Sequence, residues 1–202
     1  AIYAASHGGI YAGAYAAKAG AGAVILSDAG IGRERAGLSG VDLLDDLGVP
    51  AAALSHRSCR IGDGADGLAR GVVSFANRRA TALGVATGMS CREALALLAT
   101  GSLRPAPAPD PRLLAEARFE VAELASGSIH VIGLDSNGLV GAADAGHVIV
   151  TGSHGGLLGG NAATAVRHAV LAAVYNDAGF GIDDAGISRL PVLDQRGIAA
   201  AC

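Results

Sequence analysis

A sequence block occurs twice along this chain. Ser6-His7-Gly8-Gly9 recurs as Ser153-His154-Gly155-Gly156, an offset of 147 (153 − 6), and residues 28–53 match residues 177–202 without a gap at an offset of 149 (177 − 28). In register, Asp28-Ala29-Gly30 pairs with Asp177-Ala178-Gly179, Gly32 with Gly181, Ala36-Gly37 with Ala185-Gly186, Ser39 with Ser188, Leu44-Asp45 with Leu193-Asp194 and Gly48 with Gly197. The offsets differ by two, so the length change falls between the turns, where insertions are best tolerated. One unit used twice must be built from short elements that satisfy the same local rules in both places.

Each copy reads strand, turn, helix, strand, turn, helix, strand. In the first, residues 2–5 and 23–26 are apolar strands, 10–19 an alanine-rich helix, 38–47 a helix closed by Gly48, and 49–54 the next strand. In the second, strands are expected at 148–150, 171–175 and from 198 onward, with helices at 157–168 and 187–196. Strands alternating with helices of this length imply parallel crossovers, hence an α/β fold in which duplicated βαβαβ units form a doubly wound, mostly parallel sheet.

Between the copies, residues 71–99 read as one or two helices, with Ser90 as N-cap and Glu93 as its capping-box partner. Residues 104–111 carry four prolines at alternate positions and form a stiff, extended connector. Beyond it, 112–124 reads as helix, and residues 129–134 and 139–140 flank Ser136-Asn137-Gly138, a β-hairpin signal. The expected organisation is a first α/β copy with a helical extension (1–103), the connector (104–111), and a helix, hairpin and second copy (112–202). The two copies are also readable as one pseudo-symmetric domain.

Composition narrows the function classes. Alanine dominates the 51% hydrophobic content, Trp is absent and glycines number 31, so the core is expected to use small side chains between closely packed layers. A formal charge of −3 supplies no basic field for a phosphate backbone, so no nucleic-acid partner is expected. Cys59, Cys91 and Cys202 are odd in number and lack metal-site spacing, which points to a reducing, cytoplasmic setting without a disulfide framework or a structural metal. No apolar run reaches the roughly 18–20 residues that span a bilayer, so no membrane partner is expected. Opening and closing on strand patterns, the chain reads as a processed or trimmed product.

The repeated turns are the candidate site. A glycine pair after a strand lets backbone approach a ligand, so Gly8, Gly9, Gly155 and Gly156 are candidate binders of phosphate or carboxylate. Parallel strands deliver His7 with Asp28, and His154 with Asp177, to one sheet edge, where a His beside a carboxylate can act as general base and Ser6 or Ser153 as nucleophile or hydrogen-bond donor. Arg57 and Arg60, in the polar segment 55–64 after the third strand, could clamp an anion, and Cys59 could be a nucleophile if those charges lower its pKa. Asp183 and Asp184 read as the exposed face of a helix.

The turn Thr151-Gly152-Ser153-His154-Gly155-Gly156-Leu157-Leu158-Gly159 resembles the glycine-rich turn of short-chain dehydrogenases, which implies dinucleotide binding with Asp177 as the ribose-binding acid. Its last glycine falls one place late, Ala5 replaces the first glycine in the other copy, and no Tyr-x-x-x-Lys follows. The leading expectation is an enzyme acting on a small polar or anionic metabolite, a hydrolase of amide or ester type or another acid/base enzyme. The alternatives are a non-catalytic nucleotide- or phosphate-binding module and an oligomeric assembly protein. The sequence specifies no cofactor, and a site completed by another chain would make the protein a homo-oligomer.

Overall fold

Neighbouring side chains of a strand point to opposite faces, so Val24-Ile25-Leu26, buried at every position, requires cover on both sides of its sheet. The computed structural model, which describes residues 1–124 and 128–202, provides that cover. Strands β1 (Ile2–His7), β2 (Val24–Ser27), β3 (Ala51–Leu54) and β4 (Val73–Ala76) form a sheet in that order, with β1–β3 parallel and β4 antiparallel to β3. Helices α1 (Ile10–Lys18) and α2 (Ser39–Asp46) bury Ala17, Val41 and Leu44 against Val24, Leu26, Ala51 and Ala53. After α3 (Gly64–Arg70) and α4 (Arg78–Ala82), helix α5 (Cys91–Thr100) buries Cys91, Ala94 and Leu98 with Ile25, Ala52, Leu54 and Val73 of the opposite face.

A second sheet runs β5 (Arg118–Leu124), β6 (Ile129–Leu134), β7 (Val148–His154), β8 (Ala172–Asn176) and β9 (Ala199–Ala201), parallel except for β5. Its core joins Ile132, Leu134, Ile149, Ala173 and Tyr175 with Leu193 of α6 (Arg189–Gln195). The chain forms two compact units. The first comprises Ala1–Leu114 with Ala178–Asp183, the second Ala115–Asp177 with Asp184–Cys202.

The α/β character follows the sequence, with several corrections. Strands divide between two mixed sheets, each in chain order, so neither contains the reversal of strand order of a single doubly wound sheet. Residues 157–168 form short 3-10 turns at Leu158–Gly160 and Ala162–Thr164, not a helix. Gly159 and Gly160 lie at φ 57° and 68°, outside the right-handed helical region. Helix α1 crosses α2 on Gly13 and Gly40, whereas Arg189 stands at the position that matches Gly40 in the repeated sequence block. The Arg189 guanidinium is buried, donates to the Gly156 and Ala165 carbonyls at 2.9 Å each, and lies 5.3 Å over the Tyr175 ring.

Residues 118–124 are strand β5 rather than helix, anchored by Arg118 on the buried Asp144. Asn137-Gly138 sits in a 3-10 turn on the crossover from β6 to the parallel β7, where Asn137 accepts from the Tyr175 hydroxyl and donates its N–H to Ser153 Oγ, so no hairpin forms there. Within 71–99, strand β4 takes the first residues and helices α4 and α5 follow it. The capping box forms as expected, with Ser90 Oγ accepting from the Glu93 N–H and Glu93 Oε2 from the Ser90 N–H. Residues 103–110 contain neither helix nor strand.

The two repeated blocks share backbone detail. Ala29, Ile31, Glu34 and Arg35 lie at φ 46°, 67°, 54° and 59°, and Ala178, Phe180, Asp183 and Asp184 at 49°, 61°, 56° and 52°. Gly8 donates to Ser27 O and Gly155 to Asn176 O, each at 2.8 Å. Gly40 donates to Gly8 O at 2.9 Å and Arg189 to Gly155 O at 2.7 Å.

Candidate functional site

Strands β2 and β3 are parallel neighbours, so the residues that follow them emerge at the same edge. Asp28 follows β2, and Ser55-His56 follows β3. The Asp28 N–H donates to Leu54 O at 2.8 Å, fixing that edge. Asp28 is only 2% exposed. Its Oδ1 accepts from the His56 N–H at 2.9 Å and the Gly30 N–H at 3.1 Å, and lies 2.8 Å from His56 Nδ1. A carboxylate only accepts, so the His56 Nδ1 carries a proton toward Asp28, which fixes the orientation of the ring and leaves Nε2 as its other polar atom.

The 178–183 loop covers this pair. The Ile182 N–H donates to His56 O at 2.8 Å, and a Cβ added at Gly179 would come within 3.2 Å of His56 Nε2. Gly30 and Gly179 meet so closely that a Cβ on either would stand 2.7 Å from the other's Cα. Non-glycine residues at positive φ, each costing about 1–2 kcal/mol, are confined among the described residues to 29–35 and 178–184. Such backbone persists where surrounding structure enforces it and clusters at functional loops.

The residues singled out from sequence are placed as follows. Asp28 takes His56, rather than His7, as its hydrogen-bonding histidine. His7 stands in register with Ser27 at the end of β1, and its Nδ1 accepts from the Gly9 N–H at 2.9 Å, while burial holds its pKa below the ordinary histidine value. His154 repeats this, standing in register with Asn176 and accepting from the Gly156 N–H at 3.1 Å. The amides of Gly8, Gly9, Gly155 and Gly156 are all engaged within the fold. A Cβ at Gly8 would meet Gly37 O within 2.3 Å, so tight packing accounts for that glycine.

Ser6 is exposed beside Tyr11 and Tyr15, on the strand face opposite His7. Ser153 Oγ is occupied by the Asn137 N–H, and Asp177 is half-buried after β8. Arg57 is exposed. Cys59 is buried, and burial pushes its thiol pKa up, so it is no activated nucleophile. Arg60 joins a cluster that sequence reasoning missed. Its guanidinium and that of Arg70 both donate to Asp183 Oδ2, at 2.7 and 2.9 Å, while Asp66 binds Arg70 Nε at 2.7 Å and the Arg60 N–H at 2.7 Å. Asp183 thus serves as an ion-pair acceptor in a 3-10 turn, not as an idle residue on a helix face.

Among the described residues, Glu120, Glu123 and His130 are spaced to hold a metal, with ligand atoms all within 4.8 Å. Both carboxylates are exposed and His130 already bonds Glu120 at 3.0 Å. No helix of the described residues is long and apolar enough to cross a membrane. Comparison with family models, curated proteins and solved structures gave no match to this chain.

Proposed function

We propose that the chain is a duplicated α/β unit whose first copy carries an acid/base site, acting on a small polar or anionic metabolite by hydrolysis of an amide or ester. The buried Asp28 bonded to His56 is the observation that carries this reading. His56 Nε2 takes a proton from water as the oxygen adds to the substrate carbonyl, and returns it to the leaving group. Asp28 keeps the ring in the Nδ1–H tautomer and stabilises the imidazolium between the two steps. Water is the nucleophile of choice because Cys59 is buried and burial pushes its thiol pKa up.

The second reading, a phosphate- or nucleotide-binding module, has less support because the repeated glycine amides are spent internally. A thermal-shift screen with small amides, esters and carboxylates, sugar phosphates and nucleotides separates the two, since a ligand of the native state raises the melting temperature. The acid/base reading expects stabilisation by amides, esters or carboxylates, with turnover of the former two. Stabilisation confined to nucleotides or sugar phosphates, with no turnover, contradicts it.

A further inference from the structure

We propose that Arg60 and Arg70 form a binding site for the carboxylate of a small organic acid, and that Asp183 occupies it as an internal stand-in which the ligand displaces. This deepens the acid/base reading and rests on it only for calling that acid the substrate. The two guanidiniums converge on one oxygen, Asp183 Oδ2. They reach it from positions set without Asp183. Asp66 bonds Arg70 Nε and the Arg60 N–H, lies 3.5 Å from the Arg60 guanidinium, and is itself fixed by its N–H on Asp63 Oδ1. With Asp183 withdrawn, the two guanidiniums keep Asp66 as their anchored partner and lose the carboxylate on which they converge, so their donors are left to an incoming anion.

The loop does not need this clamp to take its shape. At the matching position of the first copy, Glu34 adopts φ 54° against 56° for Asp183, and its ion-pair partner among the described residues is its exposed neighbour Arg33. The convergence of Arg60 and Arg70 is therefore an addition to the loop, not a condition of its fold. Asp183 is half exposed, so a solvent anion reaches the same oxygens' place. The loop also bonds His56 O through Ile182 N and lays Gly179 against the His56 ring, so releasing Asp183 loosens the cover over His56.

Calorimetric titration with succinate at constant ionic strength tests this. Asp183→Asn is expected to bind succinate about tenfold or more tightly than the unaltered protein, because the tethered carboxylate no longer competes. Adding Arg70→Gln should abolish that binding, and adding His56→Ala should leave it in place, so binding is read separately from chemistry. Equal affinity with and without Asp183, or binding that survives Arg70→Gln, overturns the proposal while leaving the His56 reading to its own turnover test. Inorganic phosphate bound more tightly than succinate overturns the carboxylate class. Should Asp183→Asn fail to fold, hydrogen exchange of the unaltered protein decides. Succinate should speed exchange of the Ile182 amide, and unchanged or slowed exchange overturns the proposal.

Discussion

Gly13 and Gly40 meet where α1 crosses α2. A Cβ at Gly13 would lie 2.5 Å from Gly40 O, and one at Gly40 would lie 2.3 Å from Gly9 O. Neither obstacle is a flexible side-chain end, so an added methyl forces the two helices apart. Gly40→Ala is expected to destabilise the protein by about 1–3 kcal/mol. Gly48→Ala, where the added carbon meets open space but φ is 77°, should cost only the backbone term of about 1–2 kcal/mol and leave the α1–α2 contact intact. Thermal melts give both costs, and near-ultraviolet circular dichroism should report altered packing for Gly40→Ala alone.

Asp144 is fully buried and takes both Arg118 guanidinium nitrogens, at 2.6 and 3.0 Å, and the Gly141 N–H at 2.7 Å. The Arg118 hydrogen bonds hold its carboxyl below the usual range. A depressed carboxylate pKa contributes stability above its unfolded value of about 3.9 and loses it as pH falls through the folded value. Asp144→Asn should therefore be less stable at pH 7 by about 2 kcal/mol, a typical value for hydrogen bonds to charged groups. Denaturant midpoints from pH 6 down to 2.5 should fall less steeply for the variant than for the unaltered protein.

His7 has the same sign by another route. Burial lowers its folded pKa, so the unfolded chain binds its proton first as pH drops below about 6.5, and stability present above that value is lost on acidification. His7→Asn keeps an acceptor for the Gly9 N–H but cannot titrate. Comparing urea midpoints at pH 7.5 and 5.5, the unaltered protein should lose up to about 1 kcal/mol that the variant retains.

Much of the first unit was legible because its signals are local. The buried run at Val24-Ile25-Leu26, the glycine stop at Gly48 and the Ser90–Glu93 box each depend on neighbours in sequence. What failed depended on distant partners. The 157–168 helix was lost to Arg189, and the Asn137-Gly138 turn was redirected by Tyr175 and Ser153. Asp28 stands out in sequence through its repeat with Asp177, while the histidine it hydrogen-bonds is His56, which the sequence did not pair with it. Choosing His56 over His7 requires the register of β2 and β3, and the Arg60–Arg70–Asp183 cluster joins residues over a hundred positions apart. The left-handed backbone of Ala29, Ile31 and Phe180 has no sequence signal, since these residues rarely adopt it.

Turnover of a panel of small amides, lactams and esters by the unaltered protein, His56→Ala and Asp28→Asn, with melting temperature as a folding control, tests whether the His56–Asp28 pair is an acid/base site. Asn at position 28 still accepts from backbone amides but no longer imposes the Nδ1–H tautomer through a carboxylate. Turnover is expected to fall on the order of 10²–10⁴-fold in each folded variant. Turnover that persists in folded His56→Ala, or none from any member of the panel, contradicts the acid/base reading.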